Sequence, residues 1–182
     1  MANEVASWLQ SARESWVNRG DSRPDFALTP RPDQESVWDY PRPPAVVTDQ
    51  RTVEVSDANG LIARSSSSLR ILETSHPPSF YLPPDSIEPG RLVPTVGSSM
   101  CEWKGSAEYL ALSKDGRPVA WRYRKPFPEF EPYTDWVSFY PDRVQCRVDG
   151  ELVRPQAGGF YGGWITDDVV GPFKGDPGTS GW

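Results

Sequence analysis

Three pairs of turn residues divide the chain from residue 51 onward into short runs of alternating apolar residues. Asn59-Gly60, Asp115-Gly116 and Asp149-Gly150 each separate two such runs, as RTVEV (51–55) and LIARS (61–65) flank the first. Asn-Gly and Asp-Gly tolerate the positive φ angles of tight hairpin turns. The sequence therefore predicts an all-β domain built from antiparallel hairpins.

Similar runs continue along the chain and predict about nine strands. They are 51–55, 61–65, 68–73, 79–82, 107–113, 117–124, 135–140, 143–148 and 151–153. No helix of useful length falls between them, which disfavours a parallel α/β sheet. In 143–148 the alternation places Val144, Cys146 and Val148 on one face, so we expect Cys146 to be a buried core thiol.

The segments on either side of these runs differ in composition. A spacing of three and four between apolar residues predicts a helix over 3–19, with Asn3 as N-cap and Gly20 as its stop. The members of this apolar stripe are Val5, Trp8, Leu9, Ala12 and Trp16. We divide the chain into an N-terminal helix (1–20), a proline-rich extended arm (21–50), an all-β core (51–156) and a glycine-rich tail (157–182) packed on the core. The aromatic residues of the arm are expected to dock on the core, and a partner-binding arm is the alternative.

Charge and cysteine content exclude several classes of function. The net charge of −6 disfavours a surface for the phosphate backbone, so no nucleic-acid partner is expected. No apolar run reaches the ~18–20 residues needed to span a bilayer, so no membrane partner is expected. Cys101 and Cys146 form no C-x-x-C pair, so neither zinc nor another cofactor is predicted. We expect a cytoplasmic protein with reduced thiols.

One candidate chemistry is that of a thiol enzyme. Cys101 is predicted to lie on a turn before a strand, where Lys104 could favour the reactive thiolate. His76, the single histidine, could act as general base of a Cys–His pair. In this hypothesis Cys101 is a nucleophile or redox thiol, with Lys104 and His76 assisting.

The leading hypothesis is a ligand-binding cleft between the 73–83 and 98–109 segments. We read 98–109 as a loop that becomes a strand after a bend at Gly105, and Ser98, Ser99 and Lys104 would provide donors for a small anionic or carbonyl-bearing ligand. Aromatic side chains would supply flat walls, and the candidates are Tyr81, Trp103, Tyr109, Trp121 and Tyr123. A third hypothesis is a protein–protein module that self-associates or binds a partner through 1–50.

Several motifs, in this order, resemble the bacterial "domain of unknown function 427" family in its actinobacterial-type form with a glycine-rich tail. They are ESVWDYPRPP (35–44), LETSHPPSFYLP (72–83), CEWKGSAEY (101–109), AWRY (120–123), FYPDRV (139–144) and GGFYGGWITDDVVGPFKG (158–175). The family pattern falls on His76, Tyr81, Cys101, Trp103, Lys104, Gly105, Tyr109, Trp121 and Tyr123. The resemblance implies a single, strongly bent antiparallel sheet similar to the β-tent architecture. Relatives in that architecture carry zinc on paired C-x-x-C motifs, which are absent here, so the implied form is zinc-less.

Overall fold

The computed structural model describes residues 6–182. It is mostly β with one short helix, which confirms the predicted all-β class. The helix, α1, spans Ser7–Glu14. The strands are β1 (Glu35–Ser36), β2 (Ala45–Asp49), β3 (Val53–Asp57), β4 (Gly60–Ser65), β5 (Ser68–Leu72), β6 (Ser79–Tyr81), β7 (Val93–Cys101), β8 (Gly105–Ala111), β9 (Ala120–Arg122), β10 (Val137–Phe139), β11 (Gln145–Val148), β12 (Glu151–Leu152), β13 (Arg154–Pro155), β14 (Trp164–Ile165) and β15 (Val169–Val170). Short 3-10 helices lie at Val37–Asp39, Pro84–Ser86 and Pro128–Tyr133.

The longer strands form three antiparallel sheets, and not the single bent sheet that the family resemblance implies. Their orders are β10-β9-β8-β7, β12-β11-β3-β4 and β2-β5-β6. Pro83 and Pro84 follow β6 and lack the N–H that would extend a ladder, so the sheet is interrupted there. A backbone bridge between Leu82 and Val137 still joins the β6 edge to β10. Two small pairs, parallel β1–β15 and antiparallel β13–β14, complete the strand pairing.

The main hydrophobic core lies between the sheets. Phe139 in β10 and Trp164 in β14 are fully buried, and Trp164 stacks on Phe80 with ring centres 4.9 Å apart. The Trp164 Nε1–H donates to the Phe139 carbonyl at 2.9 Å, so the buried indole is satisfied. Cys146 belongs to this core and is 1% exposed, which confirms the prediction of a buried thiol.

Each of the nine predicted runs contains a strand, and one predicted loop is wrong. Residues 98–101 are the end of β7 and pair with the start of β8. Only 102–104 form the turn between these strands. The strand was hidden because the β7–β8 register shifts between Pro94 and Ser98, which breaks the alternation of apolar and polar residues.

Helix α1 is shorter than the predicted 3–19. Asn3 and Val5 lie outside the described residues. The helix ends at Glu14. The hydroxyl of the next residue, Ser15, donates to the Ala12 carbonyl at 2.8 Å and so occupies a carbonyl that would accept a backbone N–H in a longer helix. Leu9 is buried, but Trp8 is 59% exposed, so the predicted apolar stripe is only partly covered. Within residues 6–182, no helix has the length and apolarity needed to cross a membrane.

The arm packs on the rest of the chain and is more regular than predicted. Its last part is β2, which pairs with β5 along five residues. Trp38 is fully buried and donates from Nε1 to the Pro172 carbonyl at 3.0 Å. Gly20 lies directly against the arm: a Cβ there would be 2.4 Å from the Tyr40 carbonyl oxygen, and its φ is +83°. The contact requires glycine at this position, although the helix has already ended.

Candidate functional site

A cleft of about 230 Å³ opens where β5, β6, β7 and β9 meet the N-terminal segment and the tail. Alternation along the strands accounts for several of its lining side chains, although Met100 in β7 also lines it. Ser79 and Tyr81 in β6 line the cleft, and so do Ser99 and Cys101 in β7, each pair two residues apart. The indole of Trp121 in β9 forms part of the wall.

Seven of the ten predicted site residues line this cleft. They are His76, Tyr81, Ser99, Cys101, Lys104, Trp121 and Tyr123. Three others do not. Ser98 is exposed on the opposite face of β7 from Ser99. Trp103 is buried in the β7–β8 turn, with the Arg13 guanidinium 5.2 Å from its ring centre, and Tyr109 packs beside Gly97.

Lys104 is the last residue of the β7–β8 turn and extends among aromatic rings. Its Nζ lies 6.0 Å from the ring centres of both Tyr123 and Phe130. Burial alone would lower the pKa of Lys104, but interactions with Cys101 and Tyr81 outweigh it and hold that pKa above its ordinary value. Lys104 is therefore charged at neutral pH. Within residues 6–182, no carboxylate oxygen lies within 4.0 Å of this ammonium.

His76 is held from behind by the tail. Its Nδ1 lies 3.1 Å from the Gln156 side-chain nitrogen, and its ring packs edge-on to Tyr161 with centres 4.8 Å apart. Burial lowers the pKa of His76 to about 4, the charge of Glu73 opposes this, and the charge of Lys174 adds to it. The imidazole is therefore neutral at neutral pH.

Neutral phenols form the inner wall of the cleft. The Trp121 Nε1–H donates to the Tyr81 hydroxyl oxygen at 2.9 Å, which leaves the Tyr81 O–H free to donate elsewhere. Burial raises the pKa of Tyr81 and Tyr123. Burial also raises the pKa of Tyr140, whose ring centre lies 4.6 Å from that of Trp121. These hydroxyls are donors or acceptors but carry no charge at neutral pH.

Sequence reasoning missed two charged residues that line the cleft, Glu73 and Lys174, and also missed Arg42, which lies behind them. Glu73 forms a salt bridge to the buried Arg42 at 3.1 Å. Burial would raise the pKa of Glu73, but the neighbouring positive charges lower it, so the carboxylate is ionised. Burial and the charge of Arg42 lower the pKa of Lys174 to about 8. Lys174 Nζ donates to the Trp182 main-chain oxygen at 3.1 Å and lies 4.0 Å from the Trp16 ring centre. No local motif marks these residues, because they come together only in the folded chain.

The N-terminal segment and the tail form the outer wall. The Trp16 Nε1–H donates to the Glu102 carboxylate at 3.0 Å, and the Trp16 ring stacks on Arg42 at 4.2 Å. From the tail, Tyr161 and Phe160 line the opening, and Phe160 remains 62% exposed. The predicted N-terminal helix segment and tail thus contribute side chains to the same cleft.

The cleft presents several hydrogen-bond donors. The cleft combines one ammonium that has no described carboxylate partner with several neutral O–H and N–H groups. Among residues 6–182, no group of three or more His, Cys, Asp and Glu side chains is arranged to hold a metal ion.

Residues 45–153 match the model of a family described as a domain of unknown function, DUF427. A search of curated proteins finds no match. The matched region runs from β2 to just after β12 and supplies His76, Tyr81, Cys101 and Lys104, whereas Trp16, Gln156 and Lys174 lie outside it. Because the match covers more than half of the chain, this protein belongs to the DUF427 family.

Proposed function

We propose that the protein is a small-molecule-binding β domain whose cleft takes a ligand with an anionic or carbonyl group. The observation that carries this proposal is the ammonium of Lys104, which is charged and has no carboxylate within 4.0 Å among residues 6–182. A partly buried ammonium without a carboxylate partner is costly, and a ligand oxygen would compensate it.

The charges around the cleft support a ligand with at most one negative charge. Glu73 is neutralised by Arg42. Lys174 and Glu102 also line the cleft and have opposite charges. The remaining charge is that of Lys104, so a single anionic group balances the site. A ligand with two negative charges would also face the carboxylates of Glu73 and Glu102.

The aromatic walls support a ligand with a flat apolar part. Trp121 and Tyr140 pack together on one side of the cleft, and Tyr161 lies on the tail side. Small-molecule sites commonly combine such apolar walls with a few fixed polar groups. A cleft of about 230 Å³ suits a ligand of metabolite size.

A second candidate function is an enzyme that uses Cys101 as nucleophile or redox thiol. One observation favours it: Cys101 lines the same cleft as Lys104, and their interaction contributes to the raised pKa of Lys104. His76 is a poor general base for this chemistry, because its Nδ1 already faces the Gln156 amide. The assisting residue in such an enzyme would therefore be Lys104.

The proposal is tested by titrating benzoate, a small flat carboxylate, into the protein and measuring affinity by calorimetry. We expect Lys104→Met to weaken benzoate binding at least about 10-fold, because a charged donor is lost. Lys114→Met is the matched control, since Lys114 is exposed and outside the cleft. Cys101→Ser should leave benzoate affinity within a few-fold. Equal affinities of the Lys104 and Lys114 variants would contradict the proposal, and mass spectrometry of co-purified metabolites would identify the natural ligand.

Three further assignments remain our own proposals. A cytoplasmic location follows from the expectation of reduced thiols, and Cys101 and Cys146 are both free thiols. The β-tent comparison rests on the family resemblance. Self-association or a partner bound through 1–50 is testable by size-exclusion chromatography after deletion of residues 1–34.

A further inference from the structure

The side chain of Gln156 has its orientation fixed by three hydrogen bonds. Its Oε1 accepts from the Gly163 backbone N–H at 3.1 Å, and its Nε2 donates to the Lys174 carbonyl at 2.7 Å. An N–H can only donate and a carbonyl can only accept, so the amide cannot be turned over without losing both bonds. Gln156 is 4% exposed, so water does not replace them. The second hydrogen on Nε2 then points to His76 Nδ1 at 3.1 Å.

This arrangement determines which nitrogen of His76 carries the hydrogen. Nδ1 must accept from Gln156, so in the neutral ring the hydrogen is on Nε2. Protonation of Nδ1 would direct two N–H groups at each other. The charged groups that act on the ring are Glu73, Lys174, Arg42 and Lys104, so positive charges predominate.

We infer that Gln156 is a positioning residue that holds His76 as a neutral Nε2–H donor, and that this donor and the Lys104 ammonium together bind the carboxylate of a small monoanionic ligand. The inference rests on the proposed function, since it names the ligand group that the cleft recognises. Nε2 has no hydrogen-bond partner among residues 6–182, and His76 lines the same cleft as Lys104. The inference also excludes His76 as the base that deprotonates Cys101, since Nε2 has no free lone pair.

The first test does not involve a ligand. His76 is the only histidine, so its two ring nitrogens are assigned without ambiguity in a long-range ¹H–¹⁵N NMR spectrum of the full chain. At pH 7 we expect a protonated Nε2 and a bare Nδ1. A protonated Nδ1, in either the neutral or the charged ring, would overturn the inference. The Lys104 comparison with benzoate would still test the proposed function on its own.

The second test reverses the direction of the hydrogen bond between the side chain at position 156 and His76. In Gln156→Glu the new carboxylate accepts from Nδ1–H, so His76 should be charged at low pH and become an Nδ1–H tautomer at high pH. Benzoate binding by this variant should then be close to that of the wild type at pH 5 and at least about 10-fold weaker at pH 8. Wild-type binding should change less than this, because the tautomer of His76 stays the same and only Lys174, whose pKa is about 8, loses part of its charge by pH 8. A role for Gln156 in folding alone would weaken binding equally at both pH values, and that result would overturn the inference.

A second pair of variants covers the case in which Gln156→Glu does not fold. His76→Leu removes the donor, and His76→Gln keeps an N–H on a side chain of similar reach. We expect at least about 10-fold weaker benzoate binding in the first and restoration to within a few-fold in the second. Equal affinities in both variants would overturn the recognition step. If wild-type protein with the expected tautomer binds neither benzoate nor acetate, the proposed function fails while the hydrogen-bond arrangement stands. Inorganic phosphate is expected to bind more weakly than benzoate, and tighter phosphate binding would overturn the carboxylate assignment.

Discussion

Replacing Gly162 with alanine should disturb the contact between the tail and the cleft wall. A Cβ at this position would lie 2.2 Å from Cη2 and 2.5 Å from Cζ3 of Trp121. Carbon atoms in contact normally lie about 3.5–4.0 Å apart, so one of the two groups must move by more than about 1 Å. Trp121 is restrained by its hydrogen bond to Tyr81 and by packing on Tyr140, so it cannot move freely. Gly162 has no positive φ, so backbone strain does not contribute.

We expect Gly162→Ala to lower the free energy of unfolding by about 1–3 kcal/mol, the usual range for overpacking. Denaturant titration measures this value, and the Trp121 Nε1–H resonance in the NMR spectrum should shift at the same time. Gly181→Ala is the matched control, because a Cβ there meets no atom within 4 Å. A change below about 0.5 kcal/mol with an unshifted Trp121 resonance would refute the close contact between tail and wall.

Three further predictions concern other parts of the molecule. Cys146→Ser should lower the free energy of unfolding by about 1–3 kcal/mol, because it places a hydroxyl in the core. Denaturant titration measures this loss, and a change of only a few tenths of a kcal/mol would contradict the burial of this side chain. The folded-state pKa of His76 is about 4, below its ordinary value of 6.5, mainly because of burial. Between pH 4 and pH 6.5 the unfolded chain therefore binds a proton at His76 that the folded chain does not bind. This contribution to stability is complete above about pH 6.5 and is lost as the pH falls toward 4. Relative to His76→Gln, the wild type should lose at most about 3 kcal/mol of unfolding free energy over this range, and solvent screening in the cleft reduces that loss. Identical pH profiles of stability for the two proteins would contradict this expectation. Trp16→Ala should expose Lys174 and raise its pKa from about 8 toward 10.5, measured by NMR of the lysine side chain, whereas an unchanged value would show that Trp16 does not shield it.

The β elements could be predicted because their signals are local. Turn pairs such as Asn59-Gly60 and Asp149-Gly150 specify hairpins within a few residues, and positive φ angles occur at Gly60, Asp149 and Gly150. The strand at 93–101 was missed because its pairing with β8 is irregular. The end of α1 was missed because tertiary contacts of the following residues, such as that of Trp16 with Glu102, compete with a longer helix.

The candidate site was predictable only in part, because some of its residues carry no local sequence signal. His76, Tyr81, Cys101 and Lys104 lie on neighbouring strands and turns, so motif reasoning could group them. Ser99 lines the cleft and Ser98 does not. Adjacent residues in a strand point to opposite sides, and reading 98–101 as a loop concealed this difference. The groups that set charge and tautomer come from distant segments, and no local pattern connects them with the cleft.

The cleft is formed partly by residues 45–153, which match the DUF427 model, and partly by the segments on either side of them. Residues 45–153 supply the groups proposed to touch the ligand, His76 and Lys104, whereas Gln156, which holds His76, lies just beyond that region. In a DUF427 protein without an equivalent of Gln156, the corresponding histidine could place its hydrogen on either nitrogen and accept as well as donate. Such a protein would share the family fold but could recognise a different ligand group. Between two such proteins, the segments that flank the shared fold would then account for a difference in the ligand group bound.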